Sequence, residues 1–147
     1  MVRKDANSQH FFIVVGVIVI IDQLCKLIIT KGVDNSVSVI GDFLKISNIH
    51  NYGAGFGILQ GQQLLLIIAS TIVIGLIVYF HKYFGDKSYA FFSMAYILGG
   101  SVGNLIDRVL LGYVVDFINF SFWPAFNIAD SAITIGSVGI IIYLLKK

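Results

Sequence analysis

The sequence predicts an all-α membrane protein with four membrane-crossing helices. The 147-residue chain is 57% hydrophobic and only 12% charged, and its mean hydropathy is +0.89, which is too apolar for a soluble domain of this length. The apolar residues also fall into four stretches, each close to the roughly 20 residues that a helix needs to cross the hydrocarbon. We therefore expect a single integral membrane domain covering residues 1–147.

The four expected spans are approximately residues 11–30, 63–80, 89–111 and 124–145. The first follows basic residues, as in a signal peptide, but no small-residue cleavage site comes after it, so we interpret it as a retained span. The fourth begins at Pro124, which suits the first turn of a helix because its missing N–H needs no partner there.

The distribution of basic residues predicts the orientation. Four spans place both termini on one side of the membrane. The basic residues on that side are Arg3, Lys4, Lys82, Lys87, Lys146 and Lys147, and those on the other side are Lys26, Lys31, Lys45 and Arg108. Six basic residues on the side of the termini against four on the other side predict that both termini are cytoplasmic.

On this topology the acidic residues in or beside the spans meet at one level, near the outer surface. Asp22 lies in the outer half of the first span, Asp107 at the outer end of the third and Asp116 in the connection that follows. Asp130 is less than two turns into the fourth span. Reversing the orientation would move all four together, so their convergence does not depend on the count of basic residues.

The two outer connections have distinct compositions. The segment 36–47 alternates apolar and polar residues, which predicts short strands. The glycine-rich apolar segment 52–61 is expected to lie on or dip into the membrane interface and to act as a lid. The segment 114–123 carries three phenylalanines and one tryptophan, and we interpret it as a connecting loop in an aromatic belt.

The polar residues allow structural as well as catalytic interpretations. Asp22 and Lys26 are four residues apart and are expected to form an ion pair. Asn104, Asp107 and Arg108 are expected to form a polar clasp with that pair, with Arg108 reaching the surface, although chemistry alone leaves Asp107 open as a catalytic residue. The small-xxx-small spacing of Gly99 and Gly103 predicts close helix packing.

Carboxylates are the only repeated chemistry at the outer level. An acid at the centre of a span costs about 2.5–3.5 kcal/mol on insertion scales, which favours a functional role for Asp130. Asn127, three residues earlier, is expected to share its helical face and donate a hydrogen bond to it. Asp116 alone fits a solvated loop residue, and its importance depends on pairing with Asp130.

Other classes of site have little support in the sequence. The single cysteine, Cys25, allows no internal disulfide or thiolate cluster, and the three histidines lack metal-ligand spacing. The net charge of +2 is too small to suggest nucleic acid as a partner.

Six short motifs, in order along the chain, carry a family resemblance. They are Asp22-Gln23 with Lys26, the run Asn51–Gly57, Gly99-Gly100, the run Gly103–Arg108, Val114-Val115-Asp116-Phe117 and the run Phe126–Asp130. With these motifs the chain resembles the lipoprotein signal peptidases (signal peptidase II), a family of bacterial aspartic membrane proteases. Two features depart from the family's usual pattern: Gly55 often reads Ala, and the stretch between the last two motifs is short.

The resemblance implies four spans, cytoplasmic termini, a small extracytoplasmic β-rich cradle and an interfacial helix in the bacterial inner membrane. It implies that Asp116 and Asp130 are the catalytic pair. The residues implied to bind substrate or support the pair are Asp22, Lys26, Asn51, Gly53, Gly100, Asn104, Asp107, Arg108 and Asn127. The implied substrate is a prolipoprotein, cut on the amino side of a cysteine that carries diacylglycerol. Membrane lipids are expected partners, with no metal, cofactor or nucleic acid, and the chain is expected to be a monomer.

A competing class is a small proton-coupled carrier or a non-catalytic helical scaffold that uses Asp22, Asp107 and Asp130 as a relay. A relay should distribute its acids across the depth of the membrane. These acids lie at one level, which counts against that class. A different intramembrane hydrolase is a second alternative.

Overall fold

A computed structural model describes the backbone of residues 2–83 and 89–146, and the side chains within this part from residue 8 onward. Its four α-helices are α1 (Val2–Gly32), α2 (Gln63–Phe80), α3 (Tyr89–Leu110) and α4 (Ile128–Leu145). All four are long and apolar enough to cross a membrane, over residues 8–32, 63–83, 89–110 and 128–145. Helices that could cross a membrane are thus present at all four predicted spans, and the second and third agree with the predicted bounds almost to the residue. Lys87, used in predicting the orientation, lies outside the described residues.

The central helix of the bundle is α3, which packs against α1, α2 and α4. In the most apolar 18-residue stretch of α3, 61% of the residues are buried. In the corresponding stretches of the other three helices only 11–22% of the residues are buried, so these helices present most of their surface outward. A Cβ on Gly99 would lie 2.9 Å from the Cβ of Ile18, and one on Gly103 would lie 2.7 Å from Asp22 Oδ2. The predicted close packing at these two glycines is therefore confirmed.

The three strands form one antiparallel sheet in the order β1 (Ser36–Ile40), β2 (Leu44–Asn51) and β3 (Val114–Phe120). The first two were predicted from alternation. The interpretation of 114–123 as a loop is wrong, because β3 pairs with β2 along most of its length. Its residues Val114–Phe117 are all buried, and a strand buried on both faces is a continuous apolar run without the alternation that identifies a half-buried strand.

The helix α4 begins four residues later than predicted. Pro124 is not in its first turn, because the chain remains non-helical up to Asn127 and Phe126 pairs with Ile118 beside the sheet. Asn127 is the N-cap, with φ −132° and ψ −175°. Asparagine is among the strongest N-cap residues because its side-chain oxygen accepts a hydrogen bond from a free N–H of the first turn.

The segment 52–61 contains a short 3₁₀ helix, Gly55–Gly57, in which Phe56 has a φ of 59°. The ring of Phe56 meets that of Trp123 with the centroids 5.3 Å apart. The interfacial helix implied by the resemblance is not confirmed by this arrangement and stays a prediction.

Candidate active site

Asp116 lies in the middle of β3, opposite Ile49 of β2. Its side chain is buried, and both carboxyl oxygens accept hydrogen bonds: Asn51 Nδ2 donates to Oδ2 at 2.9 Å and Asn127 Nδ2 donates to Oδ1 at 2.7 Å. The sheet therefore points one carboxyl group inward, toward the start of α4, and two amide donors hold it there.

Asp130 is the third residue of α4 and belongs to its N-terminal cap. Asn127 Oδ1 accepts from Asp130 N at 2.8 Å, while Asp130 Oδ2 accepts from Asn127 N at 3.3 Å, so the two residues form a capping box. Asn104 Nδ2 of α3 donates to the other carboxyl oxygen at 2.7 Å. The free N–H groups and the dipole at a helix N-terminus favour an ionised carboxylate.

Asn127 connects the two carboxyl groups. It is fully buried. Its Oδ1 accepts from the backbone N–H of Asp130, and its own backbone N–H donates to the Asp130 carboxyl group. Its Nδ2 donates to the carboxyl group of Asp116. The expected contact with Asp130 is therefore present, but the donor is the backbone N–H at the helix cap, rather than a side chain on the same helical face. One carboxamide thus places the two acids on either side of itself.

The pKa of Asp116 is raised from 3.8 to about 7. Burial is the main cause, because it penalises the charged form, and the negative charge of Asp130 adds to it. The hydrogen bonds from Asn51 and Asn127 and the charge of Lys26 act in the opposite direction. Near neutral pH Asp116 can therefore either hold or release a proton.

A second buried cluster, formed by Asp22, Lys26 and Asp107, holds the elements that carry Asp116 and Asp130. Lys26 Nζ lies 2.8 Å from Asp22 Oδ2 and 2.9 Å from Asp107 Oδ2, so the predicted ion pair is present and extends to the predicted clasp. Asp22 Oδ1 accepts from Ala129 N at 2.9 Å and holds the first turn of α4. Asp107 Oδ2 accepts from Val115 N at 3.1 Å and holds β3.

Gln23 joins this cluster, although the sequence analysis named it only as part of a motif and assigned it no role. Its Nε2 donates to Asp107 Oδ1 at 2.8 Å and to Gly103 O at 3.2 Å. A polar residue directly beside Asp22 in an otherwise apolar helix was the available signal.

Arg108 is half-buried, so the prediction that it reaches the surface is neither confirmed nor contradicted. Its Nη2 donates to Gly53 O at 3.2 Å, and its Nε is buried without a hydrogen-bond partner among the described residues. A Cβ on Gly53 would lie 2.7 Å from Ile58 O, so the close backbone approach there requires glycine. A further glycine, Gly100, is tight against α4, where a Cβ would collide with Ala129 O.

Both carboxyl groups line a cavity of about 670 Å³ between α2 and α4. Its walls include Leu66 and Ala69 of α2 and Ile133 of α4, while Phe56 and Trp123 cover it. In the described parts of the chain α2 and α4 both pack on α3 but make almost no contact with each other. Most of the residues that line the cavity are apolar, and Asp116 and Asp130 are among the polar ones.

The chain is similar to known proteins over nearly its whole length. The family described as Signal peptidase (SPase) II matches residues 14–146. The lipoprotein signal peptidase of Halothermothrix orenii is 40% identical, over 92% of this chain and 95% of its own length. That of Brevibacillus brevis is 38% identical, over 90% and 91%.

Solved structures give the same picture. A bacterial membrane enzyme determined by the in meso method at 2.3 Å is similar with a TM-score of 0.87 and 38% identity, over 94% of this chain and 88% of that one. A second, determined at 1.9 Å, has a TM-score of 0.82 and 38% identity, over 95% and 94%.

Proposed function

The chain belongs to the signal peptidase II family of bacterial membrane peptidases, which remove signal peptides from prolipoproteins, and we propose that it does so with Asp116 and Asp130 as an aspartic catalytic pair. The observation that carries this proposal is the position of Asn127, which donates hydrogen bonds to the buried carboxyl group of Asp116 and to the half-buried carboxyl group of Asp130, both of which line the cavity. The comparisons do not favour the proton-coupled carrier or the scaffold.

The two carboxyl groups share Asn127 as a hydrogen-bond donor, and the charge of Asp130 raises the pKa of Asp116, so they titrate as a coupled pair and share one proton near neutral pH. The ionised carboxylate takes a proton from a water molecule, and that water attacks the scissile carbonyl carbon. The protonated partner donates its proton to the carbonyl oxygen, which gives a tetrahedral diol. The proton roles then reverse, so that the amine leaves with a proton as the peptide bond breaks.

The cavity supports the class of substrate. A signal peptide is an apolar helix in lipid, and the diacylglyceryl chains on the cysteine are apolar as well. The gap between α2 and α4 gives such a helix a lateral route to the carboxyl groups without passage through water. We propose that the scissile bond lies on the amino side of the lipidated cysteine, at the level of the pair.

We also propose a monomer, a single domain over residues 1–147, with cytoplasmic termini and the pair on the outer side. Membrane lipids then surround the helices, and the segment 52–61 lies at the interface as a lid. The contact between Phe56 and Trp123 over the cavity supports the lid. Asn51 and Arg108 support the site from the strand and from α3 by their hydrogen bonds to Asp116 and Gly53.

The test replaces each acid separately, as Asp116→Asn and Asp130→Asn, and follows cleavage of a lipidated precursor in detergent. General acid–base groups contribute about 10²–10⁴-fold to rates, so each variant should lose at least that factor while it still binds the precursor. Asp34→Asn is the matched control, because Asp34 is exposed and should leave the rate unchanged. Wild-type cleavage by either variant would remove that acid from the pair.

The second arm uses a precursor without the diacylglyceryl group. A lipoprotein signal peptidase of the proposed specificity should cut it far more slowly than the lipidated one. Equal rates would instead favour a different intramembrane hydrolase.

A further inference from the structure

Lys26 reaches the proposed catalytic carboxylate through a single intermediate side chain. Its Nζ donates to Asn104 Oδ1 at 3.1 Å, and Asn104 Nδ2 donates to Asp130 Oδ1 at 2.7 Å. The other two partners of the ammonium group are Asp22 and Asp107. A lysine ammonium has three hydrogens, so all of them are directed at fixed acceptors in a buried site.

These contacts fix the orientation of the Asn104 carboxamide. Its oxygen accepts from Lys26 and also from Asn127 Nδ2 at 3.2 Å. A flipped amide would place its NH₂ group against the ammonium, which cannot accept, and its oxygen against the carboxylate of Asp130. Lys26 therefore keeps the donor side of Asn104 toward Asp130.

We propose that Lys26 is a positioning residue for the reaction and acts through Asn104 to hold Asp130 ionised, as the group that takes the proton from water. This inference rests on the proposed roles of Asp116 and Asp130. Asp130 also lies at a helix N-terminus and accepts from Asn127 N, whereas Asp116 lies on a strand. The shared proton accordingly resides on Asp116 before the water attacks the scissile carbonyl carbon.

The surrounding charges favour action through the hydrogen bond over action through a long-range field. The ammonium of Lys26 is more than balanced by two carboxylates, which leaves the buried cluster with no net positive charge. The charged groups that face Asp130 are Asp22 and Lys26 from α1, Asp107 and Arg108 from α3, and Asp116 from β3. The cavity-lining residues of α2 are Leu66, Ala69 and Ser70, which carry no charge.

The experiment compares Lys26→Met, Asn104→Ala and the double variant, as full-length protein in detergent with a lipidated precursor. A hydrogen bond to a charged group is worth about 1.5–3 kcal/mol, so each single variant should lose about ten- to a hundredfold in kcat. KM should change little, and the acidic limb of the kcat–pH profile should move up by about one pH unit. The double variant should lose no more than either single one, because both break the same chain of contacts.

Lys26→Arg supplies the rescue arm, because it keeps a cation with several donors and should recover part of kcat and of the acidic limb. Gln23→Leu is the control inside the same cluster: Gln23 donates to Asp107, Gly103 and Asp22, and among the described residues no hydrogen bond joins it to Asn104. It should lower the melting temperature and leave the acidic limb in place.

The inference is overturned if Asn104→Ala keeps the wild-type acidic limb, or if the effects of Lys26→Met and Asn104→Ala multiply. If Lys26→Met does not fold, the test uses the acidic limb of the kcat–pH profile in Asn104→Ala and in Lys26→Arg. Both variants keep a positive charge at position 26. If Asp116→Asn and Asp130→Asn are inactive while Lys26→Met keeps the wild-type kcat and acidic limb, only the positioning role of Lys26 is refuted. Active aspartate variants would instead refute the catalytic pair itself.

Discussion

Replacing Asn127 by Ala and by Ser should separate its two tasks, capping α4 and holding Asp116. Ala removes both. The lost cap costs about 1 kcal/mol, and the acceptors left without a partner in a buried site cost about 1–3 kcal/mol. We therefore expect Asn127→Ala to destabilise the protein by about 2–4 kcal/mol.

Replacement by Ser keeps the cap of α4 and loses the hydrogen bond to Asp116. Its hydroxyl is a good cap and can accept from Asp130 N as Asn127 Oδ1 does at 2.8 Å, but it is too short to reach Asp116 Oδ1, where Nδ2 now donates at 2.7 Å. Asn127→Ser should thus be about 1 kcal/mol more stable than Asn127→Ala. Both should lose about ten- to a hundredfold in kcat, because both lack the bond to Asp116.

The pH profile gives an independent readout. The hydrogen bond from Asn127 lowers the pKa of Asp116, so its loss should let that pKa rise above about 7. If Asp116 supplies the proton, the alkaline limb of kcat moves to higher pH in both variants.

Thermal melting and cleavage of a lipidated precursor in detergent measure the two effects. Asn119→Ser is a matched control, because Asn119 lies on the same strand as Asp116 but bonds Ser47 instead of the pair. Wild-type kcat in Asn127→Ser would refute the bridging role, and equal melting temperatures for the Ser and Ala variants would refute the capping role.

Two further predictions concern stability. Gly100→Ala should destabilise the protein by about 1–3 kcal/mol in thermal melts, because the added Cβ collides with Ala129 O and separates α3 from α4; Gly75→Ala, with nothing within 4 Å, should not, and an equal loss in both would contradict the packing argument. Because the fold raises the pKa of Asp116 from 3.8 to about 7, the folded state binds this proton more tightly than the unfolded one, so the melting temperature should fall as the pH rises through that window. In Asp116→Asn the melting temperature should change less with pH. An unchanged dependence of the melting temperature on pH would mean that another group causes it.

The helices were predictable because hydrophobic length is a strong signal. The span 63–80 matches α2 to the residue, since the polar Gln62 and Gln63 mark its start and His81 and Lys82 follow its last residue. The ion pair of Asp22 and Lys26 was predictable for a similar reason, because a spacing of four fixes a common helical face.

The site was less accessible to sequence reasoning because its parts come from elements with weak local signals. Asp116 fits a loop residue until β3 is known, and β3 lacks alternation because it is buried on both faces. Asn127 fits an ordinary helical residue until the start of α4 is known. Its capping role depends on where Phe126 leaves the sheet, which is a tertiary contact.

The bond between Asp22 and Ala129 N has a consequence for the order of assembly. It joins α1 to α4, the first and the fourth of the helices described here, at 2.9 Å and across 107 positions of the chain. A nascent chain that has inserted three segments already contains Asp116, Lys26 and Asn104, but it lacks the helix end that positions Asp130. If Asp116 and Asp130 act as proposed, the pair is complete only when α4 docks, so a chain that has inserted only α1, α2 and α3 should not cleave a precursor.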